Sequence, residues 1–159
     1  MTDTTPAVRI ERVFDAPVET IWEMWAEPDH FAAWYGPQGA TIAVAKMDVR
    51  VGGRRHLSMT MQTPQGEMVM WFVGEYRTVD APGRLVYTES MSNEAGDVLS
   101  PESMGMPAEH PEVTEVTVEL TAVDGGTRMV MTHAGIPAGS PGEMGWNMAL
   151  DELERRLAA

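Results

Sequence analysis

Alternating apolar and polar positions cover most of the chain and predict a protein rich in β-strands. Residues 8–14 alternate in this way directly after a polar start. Residues 40–134 continue with short alternating runs that are separated by turn-forming residues. The predicted strands comprise residues 8–14, 40–47, 54–63, 67–79, 84–90, 113–122 and 127–134.

The links between the later runs are short, and their length decides how the strands pair. Residues 63–66 (Thr-Pro-Gln-Gly) and 80–83 (Asp-Ala-Pro-Gly) have the composition of tight turns, and residues 124–126 (Asp-Gly-Gly) close a hairpin. Parallel neighbours need a crossover of about a dozen residues or more, so strands joined by such short links must be antiparallel.

Helical periodicity is found early and late in the chain. Residues 17–26 begin with a proline and repeat apolar side chains at helical steps, and a second short helix runs from Asp29 to about Trp34. In the longer carboxy-terminal segment, Ser140 and Glu143 match a capping box, and an apolar stripe follows. The opposite face of this helix begins with methionines, so its first half is expected to be enclosed on nearly all sides.

These elements predict an α+β fold with the order strand, two short helices, six strands and one long helix. Because a single sheet must cover the apolar stripe of the last helix, we expect a curved antiparallel sheet wrapped around it. Residues 1–7 are predicted to be a polar tail and residues 8–158 a single domain. Where the curved sheet and the straight helix diverge, either large side chains fill the gap or a cavity opens.

Composition and charge exclude several classes of function. The 159 residues include no cysteine, which excludes disulfides, thiol catalysis and cysteine-ligated metal sites. The formal net charge is −13 and the few basic side chains are scattered, with Arg54 and Arg55 as one of only two adjacent pairs. Neither nucleic acid nor an anionic membrane is therefore an expected partner. Membrane-spanning apolar runs and a signal-peptide pattern are both missing, so the expected location is cytoplasmic.

Several short motifs, in this order along the chain, resemble those of a known superfamily. Residues 14–17 (Phe-Asp-Ala-Pro), 21–22 (Ile-Trp) and 34–37 (Trp-Tyr-Gly-Pro) resemble the amino-terminal signature of the START-like helix-grip (SRPBCC, Bet v-like) superfamily. The later motifs are similar to the branch named for homologues of the activator of the heat-shock-protein-ninety ATPase. They comprise residues 48–53, 74–76, 82–88, 126–133 and 145–146.

The resemblance covers about residues 8–157 and implies the helix-grip fold. It leaves several functions open, because one fold hosts many activities. The first expectation is binding of a small hydrophobic molecule without strong catalysis. The alternatives are a chaperone-accessory protein of the ATPase-activator type, with a chaperone as partner, and an enzyme similar to polyketide cyclases or dehydratases. A homodimer also stays open, since nothing in the sequence specifies the oligomeric state.

Few residues offer catalytic chemistry. Phosphate-binding loops, dinucleotide fingerprints and nucleophile elbows are missing, and the four histidines lack the spacing of a metal site, so no cofactor and no metal are expected. His133 and Glu89 are the acid–base candidates for the enzyme alternative. For His133 the simpler interpretation is a buried imidazole whose hydrogen bonds are satisfied. Arg50 is expected to pair with Asp48 or a nearby acid, and the glycines at 52–53 to form a bulge or turn.

Methionine is unusually frequent, with 14 residues, many of them at alternate strand positions. Because it is unbranched and polarizable, methionine either fills an irregular core or lines a cavity that accepts varied apolar molecules. Burial of about ten methylenes gives roughly 8 kcal/mol, from which association removes about 4 kcal/mol or more, so tight binding needs polar anchors. Trp34, Tyr87, Glu89 and His133 are the candidate anchors. The predicted cavity lining comprises Trp34, Met59, Met61, Met70, Phe72, Tyr87, Met129, Met131, His133, Met144 and Met148.

The segment 91–111 has no periodicity and exceeds the ordinary length of a loop. It carries Met104 and Met106 within a polar stretch. This segment has two interpretations. Long loops are often lids or interaction surfaces, and a disordered insertion has the same composition.

Overall fold

The predicted order of strands and helices is confirmed in a computed structural model, which describes residues 6–105 and 111–158. Two short helices lie between the first and second strands, and the long helix follows the last strand. A short 3-10 helix, Pro101–Met104, precedes the sixth strand. The strands are β1 (Ala7–Phe14), β2 (Thr41–Met47), β3 (Arg54–Thr63), β4 (Gly66–Asp80), β5 (Arg84–Ser92), β6 (Thr114–Val123) and β7 (Gly126–Ala134), and the helices are α1 (Val18–Ala26), α2 (Pro28–Trp34) and α3 (Pro141–Ala158).

All seven strands belong to one antiparallel sheet with the order β1-β7-β6-β5-β4-β3-β2. Chain neighbours from β2 to β7 pair directly, as their short links predict. Strand β1 pairs with β7, so the first and last strands of the chain meet. Register shifts between Val44 and Lys46 and between Tyr76 and Thr78 interrupt two ladders, and bulges of this kind bend and twist a strand. The fold is the predicted α+β helix-grip arrangement.

One face of the sheet carries the hydrophobic core. Alternation along β6 and β7 places Val116, Val118, Met129 and Met131 on this face, and all four are fully buried. Around these four side chains the protein's own residues fill the space.

The helices complete the core with large aromatic rings. Trp25 of α1 and Trp34 of α2 meet edge to face, with 4.7 Å between their ring centroids, and Trp25 stacks on Trp146 of α3 at 5.9 Å. Leu150 and Leu153 of α3 are fully buried beside them. In the part of the chain that the structure describes, no helix combines the length and the apolar character needed to cross a membrane.

The first turn of α3 differs from the predicted capping box. The Glu143 carboxylate accepts a hydrogen bond from the Gly139 amide at 3.0 Å. It does not cap Ser140, because the Ser140 amide already donates to the Pro137 carbonyl. The Ser140 hydroxyl is buried and has no hydrogen-bond partner among the described residues. The prediction of a reciprocal capping box is therefore wrong, although the helix begins where it was expected.

The first half of α3 is also more exposed than predicted. Met144 is 60% exposed and Met148 is 38% exposed. The reason is that the sheet and the helix diverge at this end, so the second apolar face borders a cleft instead of packed side chains.

The turn that precedes β3 confirms two local predictions. The Arg50 side chain donates a hydrogen bond to Asp48 Oδ2 at 2.8 Å. Gly52 has a φ of +83°, in the left-handed region that favours glycine, and a Cβ on Gly53 would collide with the Asp48 carbonyl oxygen.

The first part of the segment 91–111 is held by local hydrogen bonds. Strand β5 extends to Ser92, beyond its predicted end, and the Leu99 amide donates to the Met91 carbonyl at 2.8 Å. This part is therefore a hairpin and not a disordered insertion. Residues 106–110 lie outside the described residues, and the prediction that the segment 91–111 is a lid or an interaction surface stays a prediction.

Candidate ligand-binding site

A cleft of about 520 Å³ lies between the sheet and the first half of α3. Small-molecule sites occupy about 300–1,000 Å³, so the cleft has the size of a ligand pocket. Most of its wall is apolar, and strands, loops and helix all contribute to it. The apolar lining comprises Gly36, Pro37, Met59, Met70, Phe72, Met91, Pro111, Ile136, Pro141, Gly142, Met144, Gly145, Trp146, Met148 and Ala149.

The structure brings only part of the predicted lining to this cleft. Four predicted lining residues are fully buried in the core and do not border the cleft, namely Trp34, Tyr87, Met129 and Met131. Met61 lies farther along β3 and does not line the cleft. Alternation identifies the inward face of a strand, but the distance between sheet and helix decides which inward side chains border empty space. The predicted residues that line the cleft are Met59, Met70, Phe72, His133, Met144 and Met148, together with the anchor candidate Glu89.

A buried ion pair forms the polar end of the cleft. Glu89 Oε2 accepts hydrogen bonds from Arg55 Nη1 and from the Tyr35 hydroxyl, both at 3.1 Å. The Arg55 side chain is 1% exposed and the Glu89 side chain 13% exposed. The guanidinium carbon also lies 3.9 Å from the centroid of the Tyr87 ring, which supplies a cation–π contact. Burial alone would lower the pKa of Arg55, but the Tyr87, Tyr35 and Glu89 oxygens raise it above its ordinary value, so the guanidinium stays charged.

Arg55 and Tyr35 are partners of Glu89 in the candidate site that the sequence prediction misses. Arg54 and Arg55 form one of the scattered basic pairs, which usually lie in solvent. Period-two alternation in β3, however, places Arg55 on the same face as Leu57 and Met59. That shared face was the available signal for a buried arginine.

His133 is a buried imidazole whose two ring nitrogens both take part in hydrogen bonds. Trp146 Nε1 of α3 donates to His133 Nδ1 at 2.9 Å, and because an indole N–H can only donate, this bond assigns the ring proton to Nε2. His133 Nε2 then donates to the Thr114 hydroxyl at 2.8 Å, which donates to the Glu89 carbonyl at 3.1 Å. The chain of bonds ties α3 to three neighbouring strands. Within the described ranges, no three histidine, aspartate or glutamate side chains are grouped as a metal site would require.

All three tyrosines lie near the ion pair, and their pKa values move in the same direction. Burial raises the pKa of Tyr35, and Glu89 adds to the effect. Burial likewise raises the pKa values of Tyr87 and Tyr76. In both cases Arg55 has the opposite, smaller effect.

We therefore expect an alkaline titration, followed by tyrosinate absorbance, to show no ionisation near pH 10 while the protein is folded. The phenols bind their protons more strongly in the folded state, so this stabilisation is complete below the unfolded pKa of about 10 and is lost as the pH rises above it. Tyrosines should ionise together with unfolding. The chain in concentrated urea serves as the control, in which ionisation near pH 10 is expected. A tyrosine that titrates reversibly near pH 10 in folded protein would contradict the prediction.

An antiparallel sheet that grips a long terminal helix, with a cleft between them, defines the helix-grip class of the START-like superfamily. A family model described as Activator of Hsp90 ATPase homolog 1-like protein matches residues 15–158. The chain therefore belongs to the family of Activator of Hsp90 ATPase homolog 1-like proteins. No curated protein matches the sequence.

Solved structures of bacterial proteins share the fold. A solution structure from Arthrobacter aurescens is 23% identical with a TM-score of 0.78, covering 97% of this chain and 87% of that chain. A crystal structure from Chromobacterium violaceum is 24% identical with a TM-score of 0.74, covering 94% and 96%. The AHSA1 protein from Silicibacter pomeroyi is 18% identical with a TM-score of 0.71, covering 96% and 97%. At these identities the similarity shows the fold.

Proposed function

We propose that this protein binds a small hydrophobic molecule in the cleft between the sheet and α3. The observation that carries the proposal is the cleft itself, with about 520 Å³ of space behind an apolar wall. Small-molecule sites are typically clefts of this size with apolar walls and a few polar groups. Exposed Met144 and Met148 form its outer edge, and Glu89 supplies a polar group within it.

The methionine side chains of the wall favour binding of a range of apolar ligands and not of one ligand of fixed shape. Met59, Met70 and Met91 approach from the sheet, and Met144 and Met148 approach from the helix. Each has several rotatable bonds and a polarizable sulfur, so the wall adapts to occupants of different outline.

Native mass spectrometry of protein purified from its own host, followed by organic extraction, tests the proposal. We expect a bound apolar molecule that is released by the solvent. Purified protein that carries no such molecule and takes up no Nile red, a neutral apolar dye, would contradict the proposal. Stimulation of an Hsp90-type ATPase from the same host would instead support the chaperone-accessory role that the family description names.

A double substitution at the edge of the cleft gives a second test. We expect Met144→Ser with Met148→Ser to weaken Nile red binding about tenfold, because roughly two methylene equivalents of apolar contact are lost. Fluorescence titration measures the affinity. Met68→Ser is the matched control, since Met68 is also exposed but does not line the cleft. Equal weakening in the control would show that the dye binds elsewhere.

A further inference from the structure

We propose that the cleft selects ligands that carry a neutral hydrogen-bond donor, such as an alcohol or phenol, and that Glu89 Oε1 binds this donor. The inference rests on the proposed function above and adds the chemical class of the ligand. It follows from the unequal surroundings of the two Glu89 oxygens and from the charges beside them.

The two carboxylate oxygens of Glu89 have different partners. Oε2 accepts hydrogen bonds from Arg55 and Tyr35, whereas Oε1 accepts none from the described residues. Oε1 is accessible to solvent, and Glu89 lines the cleft. An ionised carboxylate can only accept hydrogen bonds. The ligand group that complements Oε1 is therefore a donor.

The His133, Thr114 and Tyr35 side chains that line the cleft beside Glu89 are already engaged with the protein. His133 bonds Trp146 through one ring nitrogen and Thr114 through the other, and the Thr114 hydroxyl donates to the Glu89 carbonyl. Tyr35 donates to Glu89 Oε2. Compared with these three side chains, Glu89 keeps a carboxylate oxygen that is left to accept a hydrogen bond from a ligand.

The charges around Glu89 favour a neutral donor. Arg55 already compensates the Glu89 charge, and the hydrogen bond from Trp146 holds His133 in a neutral tautomer. A carboxylate ligand would bring a second negative charge to Oε1 in a protein of net charge −13. An ammonium would add an unbalanced positive charge beside Arg55 in a partly desolvated place. A hydroxyl gains a charge-assisted hydrogen bond without either cost.

The full-length protein can be tested with ligands of one shape and different head groups. 4-Hexylphenol and 4-hexylanisole differ only by the methyl group that removes the donor, and 4-hexylbenzoate and 4-hexylbenzylammonium carry opposite charges at neutral pH. Displacement of Nile red measures each affinity. We expect the phenol to bind about tenfold tighter than the anisole, as a hydrogen bond to a charged acceptor predicts, and tighter than both ions.

The outcomes separate this inference from the proposed function. If phenol and anisole bind equally, or if the anisole or either ion binds more tightly than the phenol, the inference is overturned while ligand binding stands. If none of the four compounds displaces bound Nile red, the inference is overturned and the proposed function stands on the dye. If the protein takes up no Nile red and carries no apolar molecule, both fail.

The substitution Glu89→Gln tests whether the Glu89 carboxylate accepts the hydrogen bond from the ligand. We expect the preference for phenol over anisole to fall from about tenfold to under about threefold, because a neutral amide oxygen is a weaker acceptor. Glu112→Gln is the matched control, since Glu112 also lines the cleft but is exposed, and it should keep the preference. Loss of the preference in the control, or its persistence in folded Glu89→Gln, would overturn the assignment. Circular dichroism verifies the fold, and the wild-type comparison alone decides if Glu89→Gln does not fold.

Discussion

Replacing Arg55 with methionine is expected to lower the free energy of unfolding by about 3–5 kcal/mol, the usual cost of breaking a buried ion pair. The arginine side chain is 1% exposed, and its removal leaves the Glu89 carboxylate without a cation at a position that is only 13% exposed. Urea denaturation measures the change. Arg54→Met is the matched control on the same strand, and little change is expected there. The Arg54 side chain is exposed, and among the described residues it donates a single hydrogen bond, to the Gly96 carbonyl.

A second substitution distinguishes two effects on stability, the loss of the arginine and the burial of a carboxylate without its partner. We expect Arg55→Met combined with Glu89→Leu to regain much of the stability, since buried ion pairs replaced by apolar residues are often as stable as the original. A single Arg55→Met variant as stable as the wild type would show that the pair is hydrated and contributes nothing. The Arg55–Glu89 ion pair therefore need not make the protein more stable than two apolar residues at these positions would. Its distinctive effect is to hold Glu89 Oε2, which leaves Oε1 for the cleft.

Local patterns predicted the strands because turns and alternation are local properties. The hairpin at residues 124–126 and the turn at residues 63–66 could be identified from their own composition, and the strands follow from them. The pairing of β1 with β7 joins distant parts of the chain, and no local pattern predicts it.

The site was less predictable because it depends on distances between elements. The alternating methionines of β3 and β7 look alike in sequence, yet Met59 borders the cleft while Met131 is fully buried. What separates them is the space below the sheet, which is packed around Met131 and open beside Met59. Arg55, the partner of Glu89, was missed for a similar reason. An arginine is expected in solvent unless a carboxylate lies close to it. Because Arg55 and Glu89 lie on different strands, the sequence does not show that they are close.

Gly145 is the position at which a side chain would test the cleft most directly. It lies inside α3, where glycine is less favourable than alanine by roughly 0.5–1 kcal/mol, and it borders the cleft. A Cβ there would meet only the Pro37 Cβ, at the ordinary contact distance of 4.0 Å. At Gly142, in contrast, a Cβ would approach the Ile136 side chain to 2.6 Å. A large residue at 145 can therefore extend into the cleft without displacing the core.

We expect Gly145→Phe to weaken binding of Nile red and 4-hexylphenol by about a hundredfold, because the ring takes the place of roughly three to four methylene equivalents of ligand contact. The free energy of unfolding should stay unchanged or rise, since the helix loses a glycine. Gly145→Ala is the matched control, with a similar gain in helix stability and most of the cleft still open. Fluorescence titration and urea denaturation are measured on both variants. A stable Gly145→Phe variant that binds like Gly145→Ala would show that ligands do not occupy the cleft, because misfolding would reduce stability and binding together, whereas filling the cleft reduces binding alone.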